Sequence, residues 1–370
     1  MKILYFSRDY TNHDHRWLQA ISDAGHQVAF LRLERFGSNL DERPLPAGVR
    51  ELEWAGGRQP FDWRMGDSLG IELNALLAAE QPDILQAGPL TTAGVLAARS
   101  GFRPLVQMSW GYDLLWEAQR SKQDRFRAQF ALSVADAMIG DCETVRRAAV
   151  ALGMADDRIV AFPWGIDIER FAPGDGSGLR EELGWEDAFV LLHTRNWEAV
   201  YGALTVAEGF ALAAQEVDAL RLIMMGGGSQ ENELRAIFER YGVSERVHFT
   251  GQIAQAELAD YFRTADLYLS GSHSDGSSVS LMESLASGTP ALVSDIPGNR
   301  EWVQEGREGW LFPLDDAKAL AAQIVQAYAH REGLKEMGRK GREHAEQRAD
   351  WRVNQLGIRE AYELALKVRA

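Results

Sequence analysis

Residues 265–294 constrain the fold of this chain more than any other stretch. Ala265-Asp-Leu-Tyr-Leu-Ser270 reads as a short buried strand, and Pro290-Ala-Leu-Val-Ser294 reads as another. Between them, Ser277 to Ser287 reads as a helix. Serines crowd its first turn, where side-chain oxygens can satisfy orphan N–H groups. Gly288 is placed to end the helix in a left-handed cap, and Pro290 forbids continuation. Strand, loop, helix and strand in this order make a parallel β-α-β unit, with its loop at a strand's carboxyl end.

The remaining chain continues the alternation. Strands are expected at Lys2–Phe6, Gln27–Arg32, Asp83–Gln86, Pro104–Ser109, Ala135–Asp141, Phe189–His193, Leu220–Met225, Val247–Thr250 and Gly309–Pro313. Helices are expected between them, including Thr11–Ala24, Ile71–Ala79, Leu204–Ala214 and Gln230–Tyr241, and a final one over Trp351–Val368. Phe36 to Met65 reads as irregular. The class is α/β. At 370 residues the chain should hold two domains, with Gly174-Asp-Gly-Ser-Gly178 as the linker. The last helix carries Trp351, Val353, Leu356, Ile358, Tyr362 and Leu366, apolar surface that needs a partner.

Composition removes several functions. A net charge of −15 argues against nucleic acid as a partner and against strong attachment to an anionic membrane. The basic cluster Arg120, Lys122, Arg125 and Arg127 reads as a solvated helix face. One cysteine, Cys142, cannot form an internal disulfide and reads as a small buried hydrophobe, which fits a reducing compartment. No apolar run reaches the roughly 20 residues of a membrane span. The first residues lack the length and cleavage site of a signal peptide. The expected location is the cytoplasm.

Two acidic residues stand out. Asp275 precedes the helix, and Glu283 lies within it among Leu281, Met282, Leu285 and Ala286. Val279 and Glu283 share a face. A ligand crossing the helix start could meet the amides of Ser277 to Val279 and reach Glu283 one turn on. Anions favour such a terminus, and a carboxylate suits a vicinal diol such as ribose. The spacing equally allows Glu283 to pair with a core arginine or to face solvent. Gly226-Gly-Gly228 lets backbone approach a ligand closely, or forms a plain turn. His13 and His15 either touch a ligand or are solvated, and their spacing is no metal signature.

Asp275-x7-Glu283, followed by Ser284-Leu-Ala-Ser-Gly-Thr-Pro-Ala-Leu-Val-Ser294, resembles the acidic-x7-Glu signature of the retaining GT-B glycosyltransferases. The closest large family is glycosyltransferase family 4. Its usual form is Glu-Gly-Phe-Gly-x4-Glu; here Asp275, Ser277 and Ser278 replace the first Glu, the Phe and the second Gly. Trp110-Gly-Tyr-Asp113 resembles the family's His-Gly-x-Asp, with Trp110 in the histidine's place. Pro163-Trp-Gly-Ile-Asp167 resembles Pro-Asn-Gly-x-Asp, and Asp295-Ile-Pro-Gly-Asn-Arg-Glu301 resembles Asp-x-Gly-Gly-x-x-Glu. Arg195 matches a diphosphate-binding arginine, but Val200 stands where the family has a lysine. The first loop lacks the family's Gly-Gly pair.

The resemblance implies two Rossmann-like doubly wound domains facing across a cleft. Residues 1–173 would be the acceptor domain, 174–350 the nucleotide-sugar domain, and 351–370 a helix crossing back to the first. It implies a retaining glycosyltransferase that moves a sugar from a nucleoside-diphosphate sugar to an acceptor hydroxyl or amine. Asp275 and Arg195 would be catalytic. The donor would meet Gly226, Gly227, Gln252, Gly276, Ser277, Ser278, Val279 and Glu283. The acceptor side would hold His13, Trp110, Gly111, Asp113 and Trp164, and Trp110, Trp164 and Trp197 would line the cleft. No Asp-x-Asp occurs, so neither a metal nor a cofactor beyond the donor is expected. The acceptor stays open: saccharide, lipid-linked or small molecule. The missing lysine and altered first loop leave a rival, a sugar-nucleotide-binding subunit with little transferase activity.

Overall fold

The computed structural model describes residues 1–36 and 43–369. The middle of the segment expected to be irregular, residues 37–42, lies outside the described residues. Contacts divide the chain into two units: Met1–Phe162 with Gln355–Ala370, and Pro163–Asn354.

The first unit holds β1 (Lys2–Ser7), β2 (Gln27–Arg32), β3 (Val49–Glu51), β4 (Ile84–Gly88), β5 (Leu105–Met108), β6 (Ala137–Gly140) and β7 (Ile159–Ala161). They pair in parallel in the order β3-β2-β1-β4-β5-β6-β7. The central strands β1, β4, β5 and β6 are almost wholly buried. That explains their continuous apolar runs, because a parallel sheet is covered on both faces. Strand order reverses between β1 and β4, which makes the carboxyl ends of these strands the switch point.

The second unit repeats the plan with β8 (Phe189–His193), β9 (Leu220–Met225), β10 (Val247–Gly251), β11 (Leu267–Ser270), β12 (Ala291–Ser294) and β13 (Gly309–Phe312). The order is β10-β9-β8-β11-β12-β13, all parallel, so the switch point lies between β8 and β11. The helix between β11 and β12 runs Val279–Ala286, and Gly288 follows it at φ +78°. The serine-rich start behaves differently from expectation. Ser278 occupies the cap position but its side chain makes no capping hydrogen bond, so its oxygen does not occupy the first amides there.

Several boundaries differ from the sequence reading. The short strands β3 and β7 were not anticipated, since three residues show no readable period. The helix expected over Ile71–Ala79 begins earlier and spans Gly66–Glu80. The first unit ends at Phe162, not 173, because Ile166, Ile168 and Phe171 pack in a core of the second unit. Ile166 N–H donates to Ala349 O (2.7 Å) and Trp351 N–H to Ile166 O (3.0 Å), which ties the segment there. The last helix breaks at Gln355 into Trp351–Asn354 and Leu356–Lys367. The second piece buries Gly357, Ile358, Ala361, Tyr362 and Ala365 in the first unit, with Tyr362 Oη donating to Gln86 Oε1 (2.5 Å). Val353 and Leu356, expected on the packed face, are about 60% exposed.

Candidate functional site

The second unit's switch point builds the strongest site. The loop after β8 carries Arg195 and the loop after β11 carries Asp275. Arg195 Nη2 lies 2.9 Å from Asp275 Oδ2, and both side chains are mostly buried. The Arg195 guanidinium also stacks on Tyr201, 4.3 Å from the ring centroid. Burial works against the Arg195 charge, yet Asp275, then Tyr201, Tyr268 and Glu283, hold its pKa above the ordinary arginine value. Burial raises the Asp275 carboxyl, and Arg195 opposes the rise. His193, at the end of β8, is fully buried and its pKa is pushed down to about 4, chiefly by burial. It is therefore neutral at pH 7. Its Nδ1 lies 3.0 Å from Leu269 O, which makes Nδ1 the protonated nitrogen of a neutral ring.

Backbone packing fixes these loops. A Cβ on Gly202 would sit 2.1 Å from Gly271 O, so the two loops touch main chain to main chain. His273 N–H donates to Val200 O (2.8 Å) across the same contact. The Asp275 loop is gripped from its other side, where a Cβ on Gly298 would meet Asp275 O at 2.3 Å. Gly298 keeps the second glycine of the resembled Asp-x-Gly-Gly segment, and this contact is the physical reason. Glu283 lies one turn into the helix and is 7% exposed. Gly276, Ser277 and Ser278 are buried in the turn leading into that helix, and Val279 is half-buried at its start.

The triple glycine divides its labour. Gly228 is forced, because a Cβ would strike the Trp197 backbone at 2.5 Å. Gly227 faces open space, and Gly226 adopts φ +100°. Gly226 N–H donates to Gly251 O (2.8 Å), which sets this turn beside the exposed Gln252. So Gly226, Gly227, Gln252 and the Arg195 loop form one rim of carboxyl ends. Among the described residues, no group of three or more His, Cys, Asp or Glu side chains is arranged to hold a metal ion.

In the first unit, the structure brings His13 and Trp110 together, with ring centroids 5.6 Å apart and edge to face. Gly111 turns the loop at φ +74°. Asp113 is fully buried and accepts from Leu90 N (2.7 Å), Ser109 Oγ (2.6 Å), Trp110 N and Leu114 N (both 3.1 Å). Its carboxylate is thus occupied by donors of this loop and of Leu90, and holds Trp110 N–H in place. Burial raises its pKa to about 6, against those hydrogen bonds.

Two tryptophans expected to line the cleft do not fit that placement. Trp197 is 2% exposed and packs edge to face on Phe249 in the second unit's core (centroids 5.5 Å). Its loop folds back under Gly227 and Gly228, with Trp197 N–H donating to Gly227 O (2.9 Å). Trp164 is 4% exposed and belongs to the second unit, because its segment is tied to Ala349–Trp351. Trp110 alone stays half-buried in its loop.

Sequence reasoning missed Asp14. It is fully buried, takes Tyr5 Oη on one oxygen (3.0 Å), and takes Thr11 N and Oγ1 on the other (2.9 and 2.7 Å). Burial, then Asp9, raise its pKa to about 7. The Thr11-x-x-Asp14 spacing is a capping box and was the readable signal. Cys142 is buried as expected, and its Sγ accepts from Val145 N–H (3.4 Å) at a helix start.

Comparison with known proteins places this geometry. The family described as Glycosyl transferases group 1 matches residues 178–344, and Glycosyltransferase Family 4 matches residues 12–170. The D-inositol 3-phosphate glycosyltransferase of Nocardia farcinica is 30% identical over 64% of this chain and 54% of its own length. The N-acetyl-alpha-D-glucosaminyl L-malate synthase of Bacillus anthracis is 28% identical over 48% of this chain and 46% of its own length. The chain thus spans about half the length of the curated relatives it matches. Among solved structures, Anabaena HepE in complex with UDP and glucose has a TM-score of 0.81 at 20% identity, over 98% of this chain and 99% of that one. Sucrose-phosphate synthase from Thermosynechococcus elongatus has a TM-score of 0.83 at 18% identity, over 99% and 100%. No helix among the described residues is long and apolar enough to cross a membrane.

Proposed function

We propose, for a chain that belongs to the glycosyl transferases of group 1 and family 4 and has the GT-B fold, that its second unit binds a nucleoside-diphosphate sugar and its first unit an acceptor. The sugar passes to an acceptor hydroxyl or amine with retention of configuration. One observation carries this reading: Arg195, Asp275 and the uncapped start of helix Val279–Ala286 meet at a single switch point. UDP in the solved HepE complexes supports a nucleotide donor.

In this reading the diphosphate lies on the first amides of that helix and against Arg195. The ribose diol bonds Glu283 one turn further in. The glycine backbone at Gly226 and Gly227 borders the phosphates, and Gly251-Gln252 borders the base. When the bond from the sugar's C1 to the phosphate oxygen breaks, negative charge grows on the diphosphate. Arg195 and the amides are already aimed at it, so little reorganisation is needed. The acceptor oxygen bonds C1 on the same face, and its proton goes to the leaving phosphate. Asp275 holds the guanidinium until the donor arrives and then orients it. The sequence supplies no Asp-x-Asp, and this reading routes no step through a metal. The single cysteine supports a cytoplasmic site of action.

The rival subunit reading rests on Val200, where the lysine is missing, and on the first loop without its Gly-Gly pair; the relatives named above do not favour it. A panel of UDP-, GDP- and ADP-sugars with release of the nucleotide as readout separates the two. Turnover above hydrolysis, with an α-linked product from an α-donor by NMR and activity retained in EDTA, is expected. An inverted product overturns the mechanism, and loss in EDTA restored by magnesium overturns its metal independence.

A further inference from the structure

The charge at the first unit's switch point has a consequence for the acceptor. Arg8 follows β1 directly. Its Nε bonds Glu34 Oε2 (2.9 Å), and its Nη1 lies 4.0 Å from Glu117 Oε1. Asp9 adds a third carboxylate acting on the same guanidinium. Glu34 and Glu117 are themselves fixed: Phe61 N–H donates to Glu34 Oε1 (2.9 Å), and Thr91 Oγ1 donates to Glu117. Burial disfavours the Arg8 charge, but Glu34, Glu117 and Asp9 together hold its pKa up. Arg32 also acts on Asp9 from the end of β2, but it is itself bound to Glu51 (Nε to Oε1, 2.7 Å).

We propose that the acceptor subsite takes an uncharged saccharide and rejects phosphorylated or carboxylated acceptors; this rests on reading the first unit as the acceptor side. An anionic acceptor would have to win Arg8 from two carboxylates that the backbone and Thr91 hold in place. It would also enter a field of its own sign, and like charges brought together oppose binding. A neutral ring meets neither obstacle. Its hydroxyls can donate to carboxylate oxygens. Trp110, set by Asp113 and flanked edge-on by His13, offers an indole surface to the C–H face of a pyranose. The curated relatives above are named for D-inositol 3-phosphate and L-malate, both anions, so the proposal separates this chain from them.

Saturation-transfer NMR on the full chain tests it, at neutral pH and low salt with UDP present. The probes are methyl glucoside, mannoside and galactoside against a D-inositol phosphate and L-malate. At least one glycoside should bind about tenfold more tightly than either anion. Trp110→Ala should weaken that glycoside about tenfold, while Trp110→Phe stays within about threefold of the parent. Asp9→Asn with Glu117→Gln should raise anion binding at least threefold. The proposal is overturned if either anion binds as well as the best glycoside, or if no glycoside binds at tens of millimolar. UDP binding is scored on the same samples: its failure with glycoside binding intact would remove the donor reading and leave this one standing.

Discussion

Two parallel sheets with the same reversal of strand order end in switch points of contrasting chemistry. In the second unit the buried carboxylate, Asp275, faces a buried guanidinium, Arg195, and the Ser278 side chain does not cap the helix beside them. In the first unit two fully buried carboxylates, Asp14 and Asp113, take hydroxyl and backbone N–H donors in place of an arginine. An ion pair of one arginine with one carboxylate can be exchanged for an incoming anion, whereas Arg8 in the first unit is held by Glu34 and Glu117 together. A carboxylate satisfied by neutral donors cannot be exchanged in this way; it relieves its burial by taking up a proton. The first site should therefore answer to pH, and the second to loss of a charge partner.

The largest effect is expected where the sequence misplaced a residue. Trp197→Ala removes a buried indole from the second unit's core, and should cost about 3–5 kcal/mol of stability by urea unfolding. A variant that melts like the parent but binds its donor poorly would return Trp197 to the site. Next, Arg195→Ala should lower turnover about 10²–10³-fold, as when one preorganised donor to a developing oxyanion is lost. Because Asp275 is then buried without its partner, stability should fall as well. Asp275→Asn in the same background should recover stability but not turnover. Turnover restored along with stability would mean that Arg195 only holds the loop. Smaller again, Glu283→Gln should weaken UDP binding by about 1.5–3 kcal/mol. Calorimetry at unchanged affinity, on a folded protein, would remove the ribose from Glu283.

The framework was legible because parallel strands leave long apolar runs and the acidic-x7-Glu spacing sits on one helix. Arg195 and Asp275 could be named from the chain, but their pairing could not, since 80 residues separate them. The Gly202–Gly271 contact was equally hidden: each glycine reads as an ordinary loop residue until the other strand end is placed beside it. Trp197 and Trp164 were expected to line the cleft because they sit in loops after strands; nothing in a one-dimensional pattern shows a loop folding back on the core. The last helix failed for another reason. The break at Gln355 shifts its phase, so that Ile358 and Tyr362 are buried while Leu356 faces outward. Asp14 was readable from its capping box, but its depth of burial was not.

That depth gives the smallest prediction and the one most specific to the first unit. Asp14 has a folded pKa of about 7, raised by burial and by Asp9 above its value in an unfolded chain. A raised carboxyl pKa means that the folded state holds the proton more tightly. The stability it contributes is complete below about pH 4, the unfolded value, and is lost as pH rises through about 7. Asp113, raised to about 6, acts in the same direction over a lower window. Stability should thus fall between pH 5 and pH 8, in contrast to an ordinary protein of paired surface carboxylates. Asp14→Asn removes the titration but keeps an acceptor for Thr11 N–H. Between those two pH values the parent should lose about 2.6 kcal/mol that the variant keeps, since each of the two pH units below the folded pKa is worth about 1.4 kcal/mol. The weakened cap costs the variant about 1 kcal/mol at both. The variant should therefore gain on the parent from pH 5 to pH 8 and be the more stable of the two at pH 8. Urea midpoints at the two pH values decide it. A variant that is less stable at both, by the same amount, would show that Asp14 is ionised throughout and that its three hydrogen bonds outweigh its burial.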